Sequence, residues 1–590
     1  MKRTDVEKQY QWNTEELFPS AEAWEKEYKD LEGFDFSAYK GKLSDRETLL
    51  CFYRETDEFS RRAEKLYLYA SMRRDEDVRA GKYVSFVSKM QSLFVRFSVQ
   101  TGFADPELLR LPPEYLISLV EDKAFSDYDY ALSRLLKEKE HVLSEEEERI
   151  LSMSCEATDG FRDAFTMLDN ADLPLKKITF RGERVRLTHG LYGVVMREGT
   201  RKERKACFRA YYKAYGSLLN VISSLYAGNV KKDVFYARAR GYNGCLEKAL
   251  SAEDVDPVVY ENLLLSVREA LPLMHRYMAF RQKSLGLREQ HMYDLYVPLA
   301  KDAGLNLSFE EAYDTVEKGL SPLGREYGEL LERARKERWI DVYENEGKRS
   351  GAYSTGCYDS HPYVLLNYQS TTNELFTIAH EMGHSVHTYL SNRAQPYAKS
   401  SYTIFLAEIA STVNEVLLLK YLLRTTKDQK LKAYLLNYYI EMFRTTLFRQ
   451  TQFAEFEDTV HRHAEEGGTL TREYLCETYY KLNQKYYGDA IVHDEEIAYE
   501  WARIPHFYRS FYVYKYATGF VSAVSIARRI LEEGASAVEE YFRFLSGGGK
   551  TCPVDILKAA GVDLTGKEPF RAAMRELEET LCALEKERAE

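Results

Sequence analysis

Residues 374–390 read ELFTIAHEMGHSVHTYL. Apolar side chains recur at three- and four-residue intervals and no proline interrupts them, so the stretch is predicted to be one helix. Within it, His380-Glu381-Met382-Gly383-His384 is the HExxH pattern. Residues four apart on a helix stand one above the other, so His380 and His384 can aim their imidazoles at one ion while Glu381 lies beside it. Two histidines and a glutamate on the inward face of an apolar helix are costly to bury without partners, and a metal satisfies them. The motif therefore predicts a catalytic zinc, one Zn2+ per chain, with Glu381 as general base.

A catalytic zinc takes a third protein ligand and keeps one position for water. The pattern that adds a glycine and then a histidine beyond the motif fails, because His387 and Leu390 hold those places. His387 is expected beside a ligand or facing substrate. Residues 404–415, IFLAEIASTVNE, form a second helical segment that sets Glu408, Ser411, Thr412 and Glu415 along one face. Glu408, a carboxylate in apolar surroundings, is the expected third ligand. Glu415 is the candidate for orienting a ligand histidine.

Outward from this centre the chain reads as mainly α, with amphipathic stretches such as 20–31, 47–72 and 256–287. Ser144 followed by glutamates predicts a capped helix start. Strand-like text is confined to 177–188, a hairpin around Gly182, and 353–368. The turn-rich stretch after the hairpin suggests a boundary between an N-terminal helical domain, 1–195, and a catalytic domain, 196–590. Residues 546–551, SGGGKT, resemble a phosphate loop but carry Phe544 where its first glycine belongs, so they read as a flexible helix connection. His461 and His463, two apart on a helix, read as surface residues.

Composition narrows the class. Of 590 residues, 30% are charged and the net charge is −11, which disfavours nucleic acid or anionic lipid as partner. No apolar run is long enough to span a bilayer. The N-terminus has acids and polar residues where an export signal needs an apolar stretch, so a cytoplasmic location is expected. Eight scattered cysteines without a close pair read as reduced thiols. Nothing in the sequence speaks to oligomeric state.

Four segments together, 351–368 (GAYSTGCYDSHPYVLLNY), 377–387 (TIAHEMGHSVH), 405–415 (FLAEIASTVNE) and 506–520 (HFYRSFYVYKYATGF), resemble the oligoendopeptidase F family, which is related to thimet oligopeptidase. The resemblance runs over most of the chain. It implies a helical ellipsoid divided by a deep substrate channel, with zinc at its floor, Glu408 as third ligand and a small β-sheet beside the site. The edge of that sheet is expected at 361–368, where His361, Tyr363, Leu365, Asn367 and Tyr368, with His387, would meet an oligopeptide added as a further strand. His506, Tyr512 and Tyr516 look like the residues that face the reacting carbonyl. Their spacing is one residue longer than in thimet oligopeptidase, and Gly519 stands where a further tyrosine is expected, so Tyr508 and Tyr514 stay in contention.

The resulting expectation is an endopeptidase of short unstructured oligopeptides in which Glu381 takes the proton of a zinc-activated water. A metallo-carboxypeptidase of similar build, with Arg503 or Arg509 as carboxylate clamp, and a non-catalytic zinc peptide-binding protein are the alternatives.

Overall fold

The structure is a computed structural model and describes residues 1–300 and 305–589. Helix accounts for 72% and strand for 3%. The predicted helix start at Ser144 is present as a capping box with Glu147, ahead of the helix Glu145–Met167. Thr200 with Glu203, and Ser308 with Glu311, begin two further helices in the same way. Among the described residues, no helix is long and apolar enough to cross a membrane.

The hairpin forms where it is expected. Strands β1 (Lys177–Phe180) and β2 (Glu183–Arg186) pair antiparallel, with Ile178 opposite Val185. Arg181 and Gly182 make the turn at φ 52° and 85°. Two successive positive φ values give the turn whose twist matches the flanking strands.

The chain divides into two compact units, each assembled from separated segments. The first comprises Met1–Glu140, Gly304–Leu422 and Ile526–Val562; the second His141–Ala303, Leu423–Ser525 and Asp563–Glu590. Residue 195 lies inside the helix His189–Glu198 and within the second unit, so the compact units do not follow the continuous boundary expected there.

The first unit holds a mixed sheet of β3 (Ile340–Asp341), β4 (Tyr353–Thr355) and β5 (Tyr363–Leu365), in the order β3-β5-β4. β5 runs parallel to β3 and antiparallel to β4, with Val364 opposite both Ile340 and Ser354. This corrects the expected edge at 361–368, because β5 is the central strand and β4 an edge. An unbroken buried run, Tyr363-Val364-Leu365, is what a strand covered on both faces carries.

Beneath β3 lies a cluster of buried charges. Asp341 sits between Arg3 Nη2 at 2.6 Å and Lys348 Nζ at 2.7 Å. Glu76 accepts from the Trp12 indole at 2.7 Å and pairs with Arg3 at 3.1 Å and Arg73 at 2.9 Å. The N-terminal segment is bound to the sheet region through Val342 N–H to Tyr10 O and Asn13 N–H to Arg338 O. Burial acts to raise the Asp341 pKa, but Lys348 and Arg3 overcome it and hold the carboxyl below its ordinary value. Such a group adds stability above its unfolded-state pKa and loses it as pH falls through the folded-state pKa. Arg3→Ala is therefore expected to cost about 1–3 kcal/mol in urea unfolding at pH 7, less than full loss of a buried pair because Lys348 remains. Acid unfolding of that variant should begin at a higher pH; an unchanged acid midpoint would mean that Arg3 does not hold Asp341 ionised.

Candidate active site

The HExxH residues lie on the helix Thr372–Ala394, whose N-terminus is capped by the Thr371 side chain accepting from Glu374 N–H. Glu408 and Glu415 lie on the helix Ile404–Thr425. The two helices meet at Gly383. A Cβ there would stand 2.6 Å from Ser411 Cα and 2.7 Å from Ala410 O, so only glycine permits the approach. Asn414 fastens the same crossing: its Nδ2 donates to Ala379 O at 2.9 Å, and its Oδ1 accepts from Tyr327 Oη at 2.9 Å.

The crossing brings three donors together. His380 Nε2 and His384 Nε2 are 3.2 Å apart. Glu408 Oε2 stands 3.4 Å from the first and 3.6 Å from the second. Nitrogen and oxygen donors around a tetrahedral zinc stand about 3.3–3.6 Å from one another. Three donors at those separations leave one coordination position open, and the Glu408 side chain is 41% exposed, so solvent reaches the group. Among the described residues this is the one cluster of three metal-capable side chains. Glu415 Oε1 lies 2.5 Å from His380 Nδ1; a carboxylate there takes the Nδ1–H and leaves the Nε2 lone pair pointing into the triangle.

The electrostatics favour a positive charge at the same place. Burial acts to lower the His380 pKa, but Glu408 and then Glu415 overcome it and raise it to about 10. Hydrogen bonds from His380 and then His384 hold the Glu408 carboxyl well below its usual range. Two imidazoles facing each other around a carboxylate fit a cation, which is what zinc brings.

Glu381 is buried on the next position of the helix. Burial raises its pKa against the opposing pull of the His380 and His384 imidazoles and of the Ser354 backbone on β4, and its Oε2 has no hydrogen-bond partner. Ser354 Oγ also lies 2.9 Å from Ser385 Oγ, joining the motif helix to the strand.

His506, Tyr512 and Tyr516 come together in the second unit. His506 Nε2 is 3.4 Å from Tyr516 Oη, and the Tyr512 and Tyr516 ring centroids are 5.5 Å apart. Burial, then Arg509, lower the His506 pKa. Tyr508 and Tyr514 are instead buried, Tyr508 stacking on Phe165 at 4.3 Å, which leaves Tyr512 and Tyr516 as the partly exposed pair. Arg503 is committed to Glu500 at 3.2 Å.

The remaining expected residues are engaged by other parts of the protein, His361 and Asn367 partly buried and the others buried. His387 is fully buried, stacked on Tyr402 at 3.8 Å, and burial lowers its pKa to about 3. His361 stacks on Trp339 at 4.8 Å and reaches Glu16 at 3.0 Å. Tyr363 Oη donates to Asn13 O, Tyr368 Oη to Leu307 O, and Asn367 Nδ2 to Gly351 O, while Leu365 is buried. Two readings outside the site change. His461 is buried, its Nε2 3.3 Å from Asp233 Oδ2, and is not a surface residue. The glycine run at 547–549 packs against Lys399 and Ser401 carbonyls, where a Cβ on Gly548 or Gly549 would clash, so these glycines serve close packing.

The pattern of peptidase family M3 matches residues 194–576, and that of oligopeptidase F matches residues 107–174. The chain belongs to peptidase family M3. Oligopeptidase PepF of Bacillus subtilis (strain 168) is 44% identical to this M3 chain over 588 residues, covering 99% of it and 88% of PepF. Group B oligopeptidase PepB of Streptococcus agalactiae serotype III (strain NEM316) is 41% identical, with 99% and 98% covered. Oligoendopeptidase-F from Enterococcus faecium has a solved structure that matches with a TM-score of 0.73 at 34% identity, covering 98% of this chain and 99% of that one. A solved chain from Chlamydophila abortus matches with a TM-score of 0.95 at 35% identity, covering 99% of each. The protein is thus a peptidase of the oligoendopeptidase F kind.

Gly383 and Asn414 are the residues of this M3 site that motif reading passed over. Gly383→Ala should lower stability by about 1–3 kcal/mol through overpacking and weaken zinc binding by roughly tenfold or more as Glu408 is pushed away. Chelator competition checks it; unchanged affinity would mean that the helix approach does not set the Glu408 position.

Proposed function

We propose that this M3 peptidase is a zinc-dependent endopeptidase of short, unstructured oligopeptides, working in the cytoplasm, with one ion per chain held by His380, His384 and Glu408. The observation that carries the reading is the donor triangle, whose three separations lie within about 0.1 Å of those around a tetrahedral ion, with a buried carboxylate one residue from a ligand. Zinc bound there supplies Lewis acidity toward water and the scissile carbonyl.

Glu381 accepts a proton from the attacking water and returns it to the leaving amine. Its unpartnered Oε2 is free for that proton, and the raised pKa that burial confers suits a group that must both take and give it. Glu415 keeps His380 in the tautomer that directs Nε2 to the ion. Tyr512, with Tyr516 and His506 beside it, donates to the carbonyl oxygen as charge develops. The peptide adds to the sheet along β4, whose partner β5 is already paired on both sides, so backbone register rather than side-chain identity selects the bond. His361, Tyr363, Leu365, Asn367 and Tyr368 then support β4 from behind.

A peptide blocked at both ends tests the reading, with fragments identified by mass. Internal cuts that disappear on chelation and return with zinc are expected; cutting only from a free C-terminus would point to a carboxypeptidase. Glu381→Gln should retain stoichiometric zinc and lose at least about 10²-fold in kcat, as expected when a general base is removed. Retained turnover would exclude Glu381 as the base. Glu408→Ala should lose tight zinc, and one firmly bound ion per chain in that variant would place the third ligand elsewhere.

A further inference from the structure

The turn that carries Tyr512 contains two costly features. Phe511 has φ 57°, a left-handed conformation that a bulky side chain rarely adopts and that persists only where its surroundings enforce it. Its N–H donates to Glu457 Oε1 at 3.1 Å. Glu457, on the helix Arg449–Glu465, is fully buried, and its Oε2 has no hydrogen-bond partner. Burial pushes its carboxyl far above the ordinary range, and the charged group felt beside it is another acid, Asp233. A buried carboxyl with one hydrogen bond costs stability, and an apolar residue of the same length would serve packing better.

The neighbouring contacts hold the same turn. Ser510 Oγ donates to Asp233 Oδ2 at 2.6 Å. His461 links Asp233 to the Glu457 backbone, with Nδ1 2.8 Å from Glu457 O, and its ring packs 4.6 Å from that of Phe511. Beyond the bend, Tyr512 stands between His506, at 6.0 Å, and Tyr516. A cavity of about 210 Å³, bordered by Asp233, Glu253, Arg509 and Tyr512, adjoins the turn and gives it room to relax.

We propose that Glu457 is a positioning residue for peptide hydrolysis: by accepting the Phe511 N–H it enforces the left-handed bend that aims the Tyr512 hydroxyl. The inference rests on Tyr512 being the donor to the reacting carbonyl. Freed of Glu457, the turn moves into the adjoining cavity rather than leave the Phe511 N–H unpaired, and Tyr512 loses its aim while the fold does not need the carboxyl.

The zinc-loaded protein and its Glu457→Met, Glu457→Gln, Tyr512→Phe and Glu457→Met/Tyr512→Phe variants are compared on a doubly blocked peptide, with melting temperature and zinc content recorded. Glu457→Met should lose roughly 10–100-fold in kcat, less than removing an oxyanion donor outright, with KM, zinc content and melting temperature near those of the parent. Glu457→Gln, whose amide oxygen accepts the same hydrogen bond, should recover kcat to within about threefold of the parent. The double variant should be no slower than Tyr512→Phe alone, since the two residues act as one unit. Parental kcat in Glu457→Met while Tyr512→Phe is slow overturns the positioning role alone. Parental kcat in Tyr512→Phe overturns the Tyr512 assignment itself. A Glu457→Met that unfolds, or additive losses in the double variant, reduces Glu457 to a structural residue.

Discussion

The close approach of two helices at Gly383 is the constraint on which the site depends. The motif helix supplies two imidazoles by its own periodicity, but a third donor has to come from another element, and a carboxylate side chain reaches only a few ångströms. With any side chain at position 383 the backbone at Ala410 and Ser411 could not lie where it does. Asn414 then fixes the rotation of the second helix by donating to Ala379 O, one residue before His380. Because Glu408 and Glu415 share that helix, one crossing places both the carboxylate in the triangle and the carboxylate behind His380.

The sheet performs a complementary task. The Ser354 hydroxyl on β4 meets that of Ser385, so the helix that carries Glu381 is tied to a strand. That strand is backed by β5, β5 by β3, and β3 by the buried Asp341 with its two cations. Buried charges of this kind are maintained by paired opposite charges, and here the first dozen residues of the chain contribute Arg3 and Trp12 to them. Residues far apart in sequence thus converge on the geometry of one carboxylate.

Much of the centre was legible in the sequence. HExxH has a fixed helical meaning, and Glu408 and Glu415 fall on one helical face at a spacing that needs no tertiary information. The hairpin at Gly182 and the cap at Ser144 are local chemistry and were equally readable. The central position of β5 was missed although a signal existed: Tyr363, Val364 and Leu365 make an unbroken apolar run, which marks a strand covered on both faces rather than an edge. Gly383 also carried a signal, since glycine costs stability in a helix interior and calls for a packing reason. Other features had none. His461 lies one helical turn beyond Glu457, yet which face of that helix is buried depends on Asp233 and Phe511, 228 and 50 residues from His461 by numbering. The two compact units interleave separated segments, which no local composition shift announces.

The central claim is that two imidazoles, His380 and His384, and the Glu408 carboxylate hold the ion. Zinc K-edge X-ray absorption on the protein carrying one equivalent of zinc tests it most directly. The account predicts four-coordinate zinc with two imidazole nitrogens and oxygen donors only, at about 2.0–2.2 Å. A sulfur donor, a third imidazole, or a sphere with no imidazole would contradict it.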